Sequence, residues 1–118
     1  MTTEIIETRV AKISMGEDGI FRTIFLPGAE VTLEDIKEIN KYMSKFSVDK
    51  SIPTFNDIKG IKSVTREARL FISGAESSKV CSAAALFIGS PISRAIGNLF
   101  LALNSPPYPT RIFKSEDE

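Results

Sequence analysis

The residues of this chain that could do chemistry are hydroxyls and one thiol. There is no histidine and one cysteine among 118 residues. Without imidazole there is no Ser-His-Asp or Cys-His nucleophile, no side chain naturally poised near neutral pH and no His-ligated metal. A lone cysteine excludes zinc sites built from several thiolates, and no cofactor is expected. Ser63 and Thr65 precede a short helical pattern, where a phosphate would meet the positive end of the helix dipole. The same residues suit simple N-capping. Ser90 and Ser93 stand at a second helix start, able to hold an anion or to cap the helix. Gly89-Ser90 does not meet the G-x-S-x-G elbow and no base is present, so a hydrolase is rejected. Cys81 lies among small residues without a cation beside it, the setting of an inert buried thiol. Asp57, Lys59, Lys62 and Arg66 form either a polar cluster at a sheet end or a solvated rim.

The elements that must position these groups follow from periodicity. Residues 5–14 and 20–26 are β-rich and separated by Met15-Gly16-Glu17-Asp18-Gly19, which permits a hairpin reversal. Thr32 opens a helix with Asp35 at the capping-box position, and Val31 with Ile36 matches a hydrophobic staple. Its predicted buried stripe is Leu33, Ile36, Ile39, Met43 and Phe46, with Glu34, Lys37, Glu38, Lys41 and Lys45 on the wet side. A strand is expected over 52–58 and a short helix over 66–73, with Ala68, Phe71 and Ile72 inward and Gly74 as a left-handed stop. Residues 80–89 are small to apolar throughout, the pattern of a central strand covered on both faces. A last strand is expected over 110–113. A hairpin followed by this alternation implies an α/β fold with a mixed sheet whose later strands are parallel.

The helix that begins at Ser90-Pro91 is nearly without charge. Ile92, Ala95, Ile96, Leu99, Ala102 and Leu103 cover one face by helical spacing. The opposite arc holds Ser93, Arg94, Gly97, Asn98, Asn104 and also Leu101, with one charge where a surface helix normally has several. That arc is read as covered by another part of the chain or as a partner or dimer surface.

Lys plus Arg equals Asp plus Glu at 15 each, so no net field draws the protein to nucleic acid or anionic lipid. Cysteine usage and the lack of a leader pattern suit a reducing cytoplasm, and no apolar run is long enough to span a bilayer. The length suits one domain over 1–118. Ser115-Glu116-Asp117-Glu118 has capping-box spacing with no helix body after it, read as a helix trimmed at its start or as a solvated acidic end.

In element order and in local sequence the chain resembles the SpoIIAA-like superfamily, which includes STAS domains and Sec14-type relatives. Segment 83–113 carries it most closely: a small-residue strand, Ser-Pro and a helix, then Asn104-Ser105-Pro106-Pro107-Tyr108-Pro109 and a strand. The resemblance implies a non-enzymatic regulatory or protein-interaction module, a protein partner or self-association, and a terminal helix after the last strand. The alternative it implies is a carrier or sensor of a small lipophilic ligand. Anti-sigma-factor antagonists of this fold carry Asp-Leu-x-x-Val and then Asp-Ser-Ser-Gly. Asp57-Ile58-Lys59-Gly60-Ile61 is similar to the first motif, whereas Thr65-Arg66-Glu67-Ala68 stands at the second. Arg66 occupies the place of the phosphorylated serine.

Overall fold

A computed structural model describes residues 5–47, 50–74, 79–104 and 109–113, with 99–104 given as helix backbone only. In chain order the elements are β1 (Ile6–Glu7), β2 (Ala11–Met15), β3 (Phe21–Phe25), β4 (Ala29–Val31), α1 (Leu33–Ser44), β5 (Ile52–Asp57), β6 (Ile61–Val64), α2 (Arg66–Ile72), β7 (Cys81–Phe87), α3 (Pro91–Asn104) and β8 (Thr110–Phe113). Six strands form one sheet in the order β1-β2-β3-β5-β7-β8. The first three pair antiparallel, and β3, β5, β7 and β8 run parallel. Each parallel neighbour is reached through one helix, and a right-handed crossover puts every such helix on the same face. The mixed α/β sheet expected from the alternation is the observed one.

The register explains the two faces. Alternation turns Ile13, Phe21, Thr23, Phe25, Ile52 and Thr54 toward the helices, and all of these are buried. The other face carries Lys12, Arg22, Ile24, Phe55, Phe87, Arg111 and Phe113 in neighbouring registers. Phe55 and Phe87 stack there at 6.4 Å, and Ile24 is nearly half exposed. Each aliphatic or aromatic side chain removed from water on the helix side contributes about 1.5–3 kcal/mol.

Residues 5–14 divide into two strands rather than one. The Thr8 hydroxyl accepts the N–H groups of Val10 and Ala11, and the Thr8 N–H donates to the Ala11 carbonyl at 2.7 Å, so the chain turns there. The expected reversal at 15–19 is present, with Gly19 at φ 81° and its N–H on the Gly16 carbonyl. A second, two-stranded parallel sheet pairs β4 with β6. It was not expected, because three residues between Gly28 and Thr32 give too short a period to read. Gly28 (φ 78°) donates to the Gly60 carbonyl at 2.7 Å where the two loops meet.

Three local expectations are corrected. Gly74 is not left-handed: α2 closes with Ser73 near φ −88°, the Gly74 N–H on the Phe71 carbonyl and the Ser73 hydroxyl on the Arg69 and Leu70 carbonyls. Phe46 lies beyond the end of α1, about half exposed, with its ring tilted 6.2 Å from Phe21. Among the described residues, helices cover one face of the strand at 80–89. Residues 82–87 are half-buried or exposed, whereas Val80, Cys81 and Ile88 are buried.

The first helix is anchored as its capping pattern indicates. The Asp35 carboxylate accepts the Thr32 N–H at 2.9 Å and the Thr32 hydroxyl at 3.0 Å, and it also takes the Arg9 guanidinium. Asp35 is 6% exposed. Burial works to raise its pKa, but the bonds from Arg9 and Thr32 outweigh that and hold the carboxyl below its ordinary value.

Candidate functional site

At its N-terminus, α3 is held by two serines that satisfy each other. The Ser90 hydroxyl accepts the Ser93 N–H at 3.1 Å and the Ser93 hydroxyl accepts the Ser90 N–H at 3.1 Å. The Ser93 hydroxyl also donates to the Ser90 carbonyl, and the Ser90 hydroxyl reaches the Lys59 carbonyl at 3.1 Å. This is a reciprocal cap. The hydroxyls considered for an anion are engaged in building the helix start.

The rotation of α3 about its axis differs from the apolar periodicity. Ser93 is fully buried and Gly97 is buried, whereas Ile92 is 55% exposed and Ala95 is exposed. A Cβ on Gly97 would lie 3.4 Å from both Ile112 Cδ1 and Ile88 Cγ2. Small residues thus let the helix lie close on β7 and β8, while Ile92 of the first turn faces outward and Ile96 is half-buried against the core. Of the arc assigned to a partner, Arg94 and Asn98 are exposed, Gly97 is turned inward, and the Leu101 side chain lies outside the described residues. The correction has a physical cause: periodicity reports how apolar a face is, while close approach to a sheet selects for how small it is.

Between the sheet and the three helices lies a cavity of about 130 Å³. Its roof includes Ile36, Ile39 and Met43 of α1, Ile72 of α2 and Ile96 of α3. Its floor is polar for a core, with Thr23, Thr54, Asn56 and Cys81 on three adjacent strands. Asn56 Nδ2 donates to Thr54 Oγ1 at 3.1 Å and to the Ala85 carbonyl at 3.3 Å. Thr54 Oγ1 in turn meets the Ala83 carbonyl at 3.3 Å and Cys81 Sγ at 3.6 Å. Thr23, 1% exposed, has no hydrogen-bond partner for its hydroxyl among the described residues. A buried hydroxyl left so costs about 1–3 kcal/mol. Nothing in the sequence distinguished this threonine, because a β-rich run reads Thr as a strand former.

The remaining chemical candidates resolve individually. Thr65 Oγ1 accepts the Ala68 N–H at 3.2 Å and caps α2, while Ser63 is exposed on β6. Cys81 is buried, and desolvation pushes its thiol pKa up, against smaller opposing effects of Thr54 and Ala83. Asp57 is buried under its neighbour Lys59, whose N–H it accepts at 3.1 Å and whose Nζ lies 3.4 Å away and 5.2 Å over the Phe87 ring. Lys62 and Arg66 are exposed. Among the described residues no group of three His, Cys, Asp or Glu side chains could hold a metal ion, and no helix is long and apolar enough to cross a membrane.

An antiparallel start, parallel strands joined by helices on one face and a final parallel strand define a SpoIIAA-like α/β fold. A crystal structure from Shewanella loihica PV-4, of an uncharacterized protein from the DUF3478 family with a SpoIIAA-like fold, matches at a TM-score of 0.56 and 14% identity, covering 98% of this chain and 87% of that one. The chain belongs to the family described as Domain of unknown function (DUF7793), which it matches over residues 14–118. A crystal structure of a protein with unknown function from Arthrobacter sp. FB24 is 30% identical, covering 95% of this chain and 90% of that one, with a TM-score of 0.37. No curated protein matches the chain.

Proposed function

We propose that this chain is a non-enzymatic interaction module that acts through the outer arc of α3, and that the contact is with a second copy of itself. The observation that carries the reading is the rotation of α3, which exposes Ile92 and Ala95 beside Arg94 and Asn98 while Ser93 and Gly97 pack inward. An isologous contact between two such helices brings together apolar side chains with one cation per copy, and the chain has no net charge to oppose it. A contact centred on one helix is small for a stable interface, so affinity in the micromolar range is expected. Thr65, Ser63 and the Ser90–Ser93 pair serve as structural or solvated hydroxyls in this reading. Sedimentation velocity at micromolar concentration should give a dimer, and Ile92→Asp should give a folded monomer. A carboxylate placed in an apolar contact loses water without a partner, whereas on a free surface it changes stability by less than about 0.5 kcal/mol. A monomeric wild type would overturn the reading.

A second reading, a carrier or sensor of a small lipophilic ligand, is favoured by one specific observation. The cavity beneath the helices joins an apolar roof to a few polar floor groups, the composition of small-molecule sites.

A further inference from the structure

We infer that the cavity takes a small apolar molecule ending in one carboxylate, and that Arg69 is the residue that recognises the carboxylate. This rests on the second reading above and names its ligand chemistry. Two of the lining residues carried by helices are polar, Asn40 of α1 and Arg69 of α2. These helices pack on each other, and both residues are half-buried, so this part of the lining reaches both the cavity and solvent. Arg69 Nη1 donates to the Val64 carbonyl at 2.9 Å, which anchors the guanidinium and uses one of its five N–H groups. No carboxylate pairs with it among the described residues, and no Asp or Glu is among the described lining residues. A planar fork of donors at the edge of an apolar space suits a carboxylate, which can accept two parallel bonds from it. Asn40 adds an amide donor on the facing helix.

The floor sets the orientation of the guest. Both Asn56 amide N–H groups are taken, by Thr54 Oγ1 and the Ala85 carbonyl, so Asn56 keeps for a guest only Oδ1, an acceptor that repels a carboxylate. The Thr23 hydroxyl oxygen is sealed in the packed sheet. A carboxylate at the floor would lose hydration without a donor, so the apolar end of the guest lies there and its charge lies at Arg69. About 130 Å³ is close to the roughly 150 Å³ apolar cavity that admits benzene, which limits the apolar body to about five to seven carbons.

Hexanoate and hexanol are the probes, titrated into the full chain and read by amide chemical shifts in NMR. Hexanoate should bind about tenfold more tightly than hexanol, the worth of a charged hydrogen bond at a half-buried site. Raising salt from about 0.05 M to about 0.5 M should weaken hexanoate several-fold and leave hexanol no weaker. Arg69→Gln should abolish the preference while hexanol still binds. Arg66→Gln, which removes an exposed cation from the same helix, should leave the preference within about twofold of wild type. Equal binding of both probes to the wild type, hexanoate binding indifferent to salt, a preference that survives in Arg69→Gln, or one that falls as far in Arg66→Gln would overturn the inference and leave the cavity a general apolar site. Binding of neither probe would overturn the inference and the carrier reading together.

Discussion

Asp35 is the residue on which most local order depends, since it closes the capping box of α1 and ties β1–β2 to that helix through Arg9. Its carboxyl is held below the ordinary range, as is Asp18, which the Arg22 guanidinium and the Ile20 N–H bring down to about 2. A carboxylate whose folded pKa is depressed contributes stability above its unfolded pKa and loses it as pH falls through the folded one. Thermal stability should thus be flat from neutral pH to about 5 and decline from about pH 4 toward 2. Asp35→Asn should lower stability at pH 7 by about 1–3 kcal/mol, from loss of the cap and of a charged bond, and should make the acid decline shallower. Circular-dichroism melts across pH check both, and an unchanged acid limb in the variant would remove Asp35 from the account. At this scale the sequence showed half of the arrangement. The Thr32-x-x-Asp35 spacing is legible, whereas Arg9 lies 26 residues away and no local pattern announces it. Thr23 was equally silent, because an unmet hydrogen bond is a property of the packed core and not of a residue type.

Among the elements, α3 and the small β4–β6 sheet carry the surprises. Helical periodicity ranked the faces of α3 by apolarity, but Ser93 and Gly97 face the sheet because a short approach needs small side chains. The segments 29–31 and 61–64 are too short to show a period, and their pairing joins residues more than thirty positions apart. The loop contact beside them is testable. A Cβ on Gly60 would stand 2.9 Å from the Leu26 carbonyl oxygen and 3.0 Å from that of Phe25, both backbone atoms that cannot rotate away. Gly60→Ala should therefore destabilise the protein by about 1–3 kcal/mol, measured by urea unfolding. An alanine variant as stable as wild type would mean that the β3–β4 loop yields more readily than its backbone contacts indicate. By contrast α1, with its cap, staple and charged outer face, was readable throughout its helical span, because every local preference there agrees with its packing.

At the scale of the whole molecule, strand and helix alternation was sufficient for the fold class, since short right-handed crossovers leave few ways to arrange parallel strands. It did not reveal that one sheet face would stand without a described helix over it, or that Ile92 of α3 would face outward. Two surfaces thus compete for a partner, the α3 arc around Ile92 and the outer sheet face around Ile24, Phe55 and Phe87. Hydrogen exchange read by mass spectrometry at dilute and at concentrated protein decides between them directly. Self-association through α3 predicts that amides in 91–98 gain protection as concentration rises, while those of α1 and β3 do not change. Protection that is independent of concentration everywhere, or that rises on β3 and β5 instead, would contradict it.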